Sequence, residues 1–462
     1  MTRVLGPAPR ILSVLAVAIA TQGTAIAGGL DFDLVGARAI GRAGTTTVSG
    51  DGGAALITNP AGMARSSSLR LQIGASLHDD DARFRGPAET ESPTVADRSS
   101  PVLAPSAALQ GALGPVVLGA ALLELGHLER LLPTPAFGQP PEEVERFFPH
   151  RYGGLQLSYR RRVAVAGAAL RVGEWLGLGL SAGGSSIEVR ELRRIWAGFG
   201  GRDDLGSPTR DLDLAMSARD RLVPFATAGL LAAPPSLPVE LAASLSWSAD
   251  AFLDGVVAVT RTSDARYPEP MTDGAVAAEL RLGMPITLRT GARYLGDRFL
   301  VEVGADLTWL RTAGKLPTWR ASGAAVLDET GEVGAIDNVP SLLAQRNHSA
   351  LRAAVDFQIV PGLLWLTGGY ARTSGGTGRA HISPGFGDVA GHTVSLGAEG
   401  TWNQITFALG LARRVSPSVT VATGESEVEM QNPFPGGTAS AGEGRHGRAH
   451  DAVGLTIEVA WE

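Results

Sequence analysis

The sequence predicts an all-β protein: a transmembrane, antiparallel, up-and-down β-barrel of about 14 strands with an N-terminal hatch inside the lumen. Three observations support this prediction. Apolar side chains alternate with small or polar ones over many segments of about ten residues or more. The connections between these segments alternate between tight turns and long polar loops, as in bacterial outer-membrane barrels. Beyond its N-terminal leader, the 462-residue chain contains no apolar run of the ~18 residues that a membrane-spanning helix needs.

Residues 1–27 have the form of a signal peptide. Arg3 and Arg10 flank an apolar segment from Ile11 to Ala20, and Ala25-Ile26-Ala27 has the small-x-small pattern of a cleavage site. An uncleaved anchor is the less favoured alternative, because the apolar segment is too short to cross a bilayer of about 30 Å. We therefore expect cleavage after Ala27 and export to the outer membrane of a bacterial cell.

Residues 28–68 are predicted to form the hatch. From Gly28 to Ala64 the chain is rich in glycine and other small residues and shows neither a helical nor a strand period. Asn59-Pro60-Ala61-Gly62 closes the segment with a turn signal, because proline fixes φ and asparagine tolerates left-handed backbone. A compact plug held by its surroundings fits this composition.

Residues 69–462 are predicted to form the barrel. Fourteen is an even number, which suits a chain that starts and ends on the periplasmic side. The strands are expected at about 69–77, 105–113, 116–125, 155–171, 175–191, 222–233, 237–249, 275–294, 298–311, 348–359, 362–372, 392–402, 404–423 and 451–461.

The last strand shows how the two faces differ. One lipid-compatible face is formed by the apolar residues that alternate with small or polar ones, namely Val453, Leu455, Ile457, Val459 and Trp461. Trp461 is expected at the periplasmic interface. Alternation alone is also typical of a soluble β-sandwich. Here every strand shows it and no helix is predicted to cover a sheet, which favours the barrel.

Charged residues on the opposite faces predict a polar lumen around the hatch. A fourteen-stranded barrel is too wide for its own side chains to fill, so a plug surrounded by mixed charges is physically reasonable. The alternative is ordinary solvation of a wet lumen. The predicted contacts are Arg38, Arg42 and Asp51 of the hatch with Arg289, Arg293, Glu302, Asp306, Arg352 and Asp356 of the barrel, and further lumen-facing charges are expected at Arg281, Glu399 and Glu458.

The second long loop carries apolar residues that need an explanation if they are exposed. A short helix is predicted to begin at Pro140-Pro141, because proline suits a first turn and the following acids suit its positive end. The candidate substrate-binding residues in or beside this loop are Leu131, Leu132, Phe137, Phe147 and Phe148. The alternative is that these residues pack one loop against another.

Other kinds of site find little support. The chain has no cysteine, and its net charge of -6 makes nucleic acid an unfavourable partner. His446 and His450 have helical spacing but lie in a predicted glycine-rich loop, and Asp79-Asp80-Asp81 is expected in a solvated outer loop. We predict no metal, no cofactor and no enzymatic turnover.

The segment Gly36–Gly44, the glycine-rich step at Gly50–Gly53 and Asn59-Pro60-Ala61 resemble the N-terminal hatch of the FadL-type family of outer-membrane transporters. The resemblance implies a passive transporter for long-chain fatty acids or other hydrophobic compounds, with loop capture, hatch movement and lateral release. Release in that family involves a distorted third strand, here Val116–Leu125, in which Gly119 permits a bulge.

The resemblance also implies the partners of the chain. These are a fatty acid or aromatic hydrocarbon ligand and the lipid and lipopolysaccharide of the outer membrane, with the protein as a monomer. Two alternatives stay open: a surface protein or adhesin that transports nothing, and an outer-membrane lipid hydrolase with a serine or histidine at the barrel rim. The sequence does not identify the ligand, since one methylene changes affinity by only about 1 kcal/mol.

Overall fold

The computed structural model describes residues 34–50, 52–87, 92–311 and 316–461, so the predicted signal peptide and Asp51 lie outside the described residues. Fourteen antiparallel strands form a closed barrel, which confirms the predicted fold class. The strands are β1 (Leu69–Arg85), β2 (Val102–Leu113), β3 (Val116–Leu131), β4 (Gln156–Val172), β5 (Leu176–Trp196), β6 (Asp211–Ala232), β7 (Val239–Ser248), β8 (Pro285–Leu295), β9 (Phe299–Leu310), β10 (His348–Val360), β11 (Leu364–Thr373), β12 (Gly391–Trp402), β13 (Ile405–Val421) and β14 (Gly444–Trp461).

The barrel closes between its first and last strands. Each strand pairs antiparallel with the next, and β1 pairs with β14 over its full length, from Leu69 opposite Trp461 to Arg85 opposite Arg445. Closure pairs the first strand with the last, so neither is left as a free sheet edge.

The remaining elements are short. The helices are α1 (Ala37–Gly41), α2 (Gly52–Thr58) and α3 (Pro141–Phe147), with 3₁₀ helices at Pro60–Arg65, Pro149–Tyr152, Pro208–Arg210 and Arg379–His381. Further strands lie at Val95–Ala96, Ala251–Arg261, Glu269–Pro270, Ala275–Leu282, Thr318–Ala321, Ala325–Leu327, Val333–Ala335 and Asn338–Pro340. Among the described residues, no helix is both long enough and apolar enough to cross a membrane.

Connections sort by length as predicted, which defines a short-turn end and a long-loop end. Gly114-Pro115 and Asn403-Gln404 are two of the short turns, and Gly114 and Asn403 adopt positive φ values of 62° and 54° that tight turns require. Both the start of β1 and the end of β14 lie at the short-turn end.

Several strands extend further toward the long-loop end than predicted. The segment 250–274, predicted to be a loop, contains the strand Ala251–Arg261, which continues β7 and pairs with the upper half of β6. Ala275–Leu282 pairs with it and leads into β8. In this region the outward side chains mix apolar residues such as Phe252 and Val256 with charged ones such as Asp254 and Glu279. The outer face is therefore no longer uniformly apolar, although the backbone ladder continues.

The outer face of the barrel is apolar near the short-turn end. On β14, Val453, Leu455, Ile457 and Trp461 are 40–52% exposed while Thr456 on the other face is buried. Exposed charges begin above this apolar zone, at Asp79, Arg162, Arg219, Asp254, Arg281, Arg311, Arg372 and Arg413.

Arg281 was predicted to face the lumen, and this prediction was wrong. Its side chain is 61% exposed, whereas Leu280 and Leu282 beside it are buried. The buried residues of Ala275–Leu282 have even numbers, whereas Thr287, the buried residue of β8, has an odd number. The alternation therefore changes phase between the two strands. A single sequence pattern read across both strands places Arg281 on the wrong face.

The long-loop end is closed by a hydrophobic core. Inward-facing residues of β4 to β6, such as Leu157 and Ile187, join residues of the long loops in one buried cluster. The loops contribute Trp319, Leu342 and Phe386, all at most 3% exposed.

Candidate functional site

The segment from Leu34 to Ser68, which we call the hatch, occupies the lumen. It contacts inward-facing residues of all fourteen strands. Ser181 of β5, for example, donates to Leu56 O, and Ser395 of β12 donates to Gly41 O over 2.9 Å. A segment that touches every member of a closed ring of strands from their inner faces lies inside that ring.

The Asn59-Pro60-Ala61-Gly62 motif orders the hatch through one side chain. Asn59 caps the 3₁₀ helix Pro60–Arg65, since its Oδ1 accepts from Ala61 N over 3.2 Å. Its Nδ2 donates to Thr47 O over 2.9 Å and to Leu230 O of β6 over 3.2 Å. The amide therefore joins two parts of the hatch to the barrel wall.

Glycines of the wall allow this close approach. A Cβ atom at Gly229 of β6 would lie 2.0 Å from Asn59 Oδ1, and one at Gly179 of β5 would lie 2.2 Å from Ala61 N. Neither position has room for a side chain, so the wall is shaped to the motif.

Arg42 ties the hatch to two strands at once. Its guanidinium donates to Glu302 of β9 over 2.8 Å and to Asp356 of β10. Glu302, which is 0% exposed, also accepts from the backbone N–H groups of Val48 at 2.8 Å and Ser49 at 3.1 Å. Removing one member of such a buried network leaves the other charges uncompensated, so the contacts depend on each other.

Two more arginines of the hatch pair with the wall near the short-turn end. Arg38 donates to Glu399 of β12 and, over 3.2 Å, to Glu458 of β14. Arg65 donates to Glu240 of β7 over 2.7 Å. Arg65 and Glu240 were missed as hatch contacts. The available signal was that Arg65 lies three residues after the motif and that Glu240 alternates with outward apolar residues.

The other predicted contacts lie close to the hatch, but only one of them donates to it directly. Arg352 Nη1 donates to Ala43 O over 2.9 Å, and Asp306 holds Arg352 through its Nε, also over 2.9 Å. Arg289 donates to Ser246 Oγ over 3.0 Å rather than to the hatch.

Two cavities lie against the hatch. One, of about 390 Å³, is at the short-turn end and is lined by Arg38, Arg70, Gln110 and Arg293 among others. The other, of about 100 Å³, is on the long-loop side and is bordered by Leu125 among others. Hatch residues such as Val35 and Thr46 line both cavities.

A break in hydrogen bonding between β2 and β3 lies beside the smaller cavity. Their ladder ends at Ser106 opposite Leu123, although β2 continues to Val102 and β3 to Leu131. Pro105 has no N–H to extend the ladder, and β3 shifts register against β4 between Glu124 and Gly126. We call the gap between Val102–Pro105 and Glu124–Leu128 the β2–β3 window.

The irregularity predicted near Gly119 therefore lies at Leu125, six residues further along β3. Gly119 keeps regular pairing on both sides. A Cβ atom at this glycine would lie 2.8 Å from Met63 Sδ, so its small size accommodates the hatch and not a bulge.

The predicted capture residues do not form one cluster. Leu132 is buried, so it contributes to packing and not to an exposed groove. The exposed fractions are 43% for Leu131, 1% for Leu132, 66% for Phe137 and 41% for Phe147, while Phe148 is partly buried. Helix α3 has proline in its first turn, as the sequence predicts, and ends at Phe147.

His150 anchors the loop that follows α3. Its Nε2 donates to Pro133 O over 2.8 Å, and the side chain is fully buried. Burial lowers the pKa of His150 to about 4, although the bond to the carbonyl acts in the opposite direction. The imidazole is consequently neutral at pH 7.

Asp80 is not in a solvated loop as predicted but in β1. It accepts from Arg130 of β3 over 2.7 Å and from Arg448 of β14 over 2.7 Å. The acidic run therefore contributes an inward carboxylate that joins three strands.

His446 and His450, predicted in a loop, both lie on β14. His450 Nε2 is 3.3 Å from His78 Nδ1, while His446 Nε2 bonds to Gly442 O over 2.9 Å. No group of three or more histidine or acidic residues in the described part of the chain is arranged to hold a metal ion.

Comparisons with known proteins agree on the fold. No protein-family model matches the sequence, and no curated protein matches it. The crystal structure of a Pseudomonas aeruginosa FadL homologue aligns with a TM-score of 0.75 at 14% identity, covering 94% of this chain and 100% of the other. The Pseudomonas putida toluene transporter TodX aligns with a TM-score of 0.62 at 14% identity over 94% of this chain and 98% of its own. The CymD monoaromatic hydrocarbon channel aligns with a TM-score of 0.62 at 13% identity, covering 93% of this chain and 99% of its own. The chain thus has the fold of FadL-like transporters, a closed 14-stranded barrel.

Proposed function

We propose that the protein is a passive channel of the bacterial outer membrane for hydrophobic small molecules. The apolar outer zone supports the membrane location. On β14 it runs from Val453 to Trp461, about 27 Å along a strand with a rise of ~3.4 Å per residue. At a tilt of about 40° this gives about 21 Å along the barrel axis, close to the apolar band of about 25 Å in such barrels.

The main structural support for a channel is the β2–β3 window, which lies beside a lumen filled by the hatch. The window opens at the upper edge of the apolar zone, because Val102 is opposite His78 and the first exposed charge of β1 is Asp79. Leu125 borders both the window and the smaller cavity. An apolar solute in that cavity has a short route through the wall into lipid.

Passage requires some movement of the hatch or of the loops above it. The long-loop end is closed by buried residues such as Trp319, and the hatch blocks the lumen below. The exposed rings of Phe137 and Phe147 offer an apolar surface for capture at the long-loop end. Concentration differences alone would drive the flow, since hydrophobic solutes partition favourably into the bilayer.

The similar solved structures support the ligand class. They include proteins named as toluene transporters and a monoaromatic hydrocarbon channel. A fatty acid or an aromatic hydrocarbon is the proposed cargo, and the protein is proposed to act as a monomer among outer-membrane lipid and lipopolysaccharide.

Uptake by cells with an intact lipopolysaccharide layer tests the proposal, because that layer and not the phospholipid bilayer is the barrier to such solutes. Radiolabelled toluene and oleate would be supplied to a strain that lacks comparable channels, with and without the protein. The expected result is faster uptake of at least one solute, and a further increase after Asn59→Ala loosens the hatch from β6, because the hatch blocks the lumen. Rates equal to those of cells without the protein, for both solutes, would contradict transport and favour a surface protein.

A further inference from the structure

The larger cavity lies on the short-turn side of the hatch, outside the route through the β2–β3 window. Arg70 is the second residue of β1 and Arg293 is two residues from the end of β8, so both are near the short turns. With a volume of about 390 Å³ the cavity falls in the range of small-molecule sites.

Arg293 is the least compensated cation on this cavity. Its closest carboxylate is Glu240 at 3.6 Å, and Glu240 already accepts from Arg65 over 2.7 Å. Arg42 and Arg65 both act on Arg293 as like charges. Its Nε–H is buried and has no hydrogen-bond partner. Glu302, opposite Arg293 on β9, also attracts it, but Glu302 already accepts from Arg42 and from the backbone of Val48 and Ser49. A buried guanidinium whose two nearby carboxylates are both shared with other donors favours the approach of another anion.

Gln110 is a buried amide on this cavity whose polar atoms lack hydrogen-bond partners. This side chain of β2 also lines the cavity and is 4% exposed, and neither its Oε1 nor its Nε2 has a hydrogen-bond partner. Buried amides are nearly always satisfied, so both groups call for a partner inside the cavity. Apolar surface from Met63, Leu300 and Trp365 completes the lining.

We propose that this cavity binds an amphipathic carboxylate, with Arg293 holding the charge and the apolar body lying against Met63, Leu300 and Trp365. Gln110 hydrogen-bonds a second polar group or a water molecule carried with the ligand. The site rests on the proposed function for its class of ligand, but it adds a binding position on the short-turn side of the hatch.

The chemistry explains why such a site would be separate from the window. A carboxylate that leaves sideways must enter hydrocarbon or become protonated, and both are costly. A neutral aromatic ligand has no such cost at the window. The cavity therefore suits anionic ligands, whereas the window suits neutral ones.

Equilibrium binding to the full-length protein in lipid nanodiscs tests the site apart from transport. The probes are radiolabelled octanoate, 1-octanol of equal chain length, and inorganic phosphate, with empty nanodiscs subtracted. We expect saturable octanoate binding that weakens at least tenfold in Arg293→Gln and recovers in part in Arg293→Lys. Arg289→Gln is the matched control, because Arg289 lies on the same strand but bonds to Ser246.

Glu240→Gln is expected to strengthen binding, which a misfolded protein would not do. Removing the carboxylate that Arg65 and Arg293 share is expected to tighten octanoate binding severalfold. Absence of saturable octanoate binding, equal binding in Arg293→Gln, or octanol binding that falls equally in Arg293→Gln would overturn the proposal. Phosphate displacing octanoate at equal concentration would also overturn it, by showing a general anion site without a need for the apolar body. These binding measurements do not depend on uptake by cells, so failure of transport and failure of the binding site can be distinguished.

Discussion

Replacing Glu302 with glutamine is expected to loosen the hatch while the barrel stays closed. Glu302 accepts from Arg42 and from the backbone of Val48 and Ser49, and it is fully buried. Glutamine keeps one acceptor oxygen but removes the negative charge and turns two N–H donors toward Arg42. Asp356 still pairs with Arg42, so the network is weakened and not abolished.

The size of the effect follows from the loss of one partner in a buried charge network. Such losses cost about 3 to 5 kcal/mol, and the remaining Asp356 contact places this one near 3 kcal/mol. At about 1.4 kcal/mol per factor of ten, the population of the released hatch should rise roughly 100-fold.

Hydrogen exchange measured by mass spectrometry on peptides that contain Val48 and Ser49 reports this population. Protection there should fall by about two orders of magnitude in Glu302→Gln. Glu279→Gln is the matched control, since Glu279 is exposed on the outer face and should change nothing. Protection within threefold of the wild type, in a variant that still migrates as a folded barrel, would show that Glu302 does not hold the hatch.

Three further outcomes follow from the geometry. Gly229→Ala should displace the hatch motif or prevent folding, because the new Cβ meets Asn59 Oδ1. Gly368→Ala should be tolerated, because nothing lies within 4 Å of a Cβ at that position. Equal protection of the hatch from hydrogen exchange in both variants would contradict this. The free energy of unfolding of the loop that His150 anchors should be constant above pH 6.5 and fall by about 3 kcal/mol as the pH falls toward 4, because the unfolded loop takes up the proton first. Hydrogen exchange of this loop should not depend on pH in this way in His150→Gln. The same pH profile in the wild type and in this variant would count against the role of His150. Phe137→Ser should slow uptake severalfold at low solute concentration only, and an equal loss at saturation would argue against a capture role.

The barrel was predictable from the sequence because lipid imposes a two-residue period on every strand. The exposed Val453, Leu455 and Ile457 and the buried Thr456 follow that period. Beyond the apolar zone this constraint weakens, and the outward face of Ala251–Arg261 mixes Phe252 and Val256 with Asp254 and Thr260. The phase change before β8, which puts Arg281 outside, depends on three-dimensional pairing and has no local signal.

The hatch contacts were predictable in kind but not in pairing. Alternation places Glu302 and Asp356 on the inner face, and charge complementarity points to an arginine partner. Which arginine meets which carboxylate depends on how the hatch folds, because residues more than 250 positions apart come together. Arg65 and Glu240 were missed for this reason.

A disulfide across the β2–β3 window tests whether a neutral apolar solute leaves the lumen by that route. The chain has no cysteine, so Ala104→Cys with Leu125→Cys introduces a single pair at positions that would face each other if the ladder continued. Leu109→Cys with Ala120→Cys, within the intact ladder, is the matched control. Oxidation of the window pair is expected to lower toluene uptake to the level of cells without the protein, and reduction is expected to restore it. Uptake that is the same in the oxidised and reduced states of the window pair would rule out release through the window.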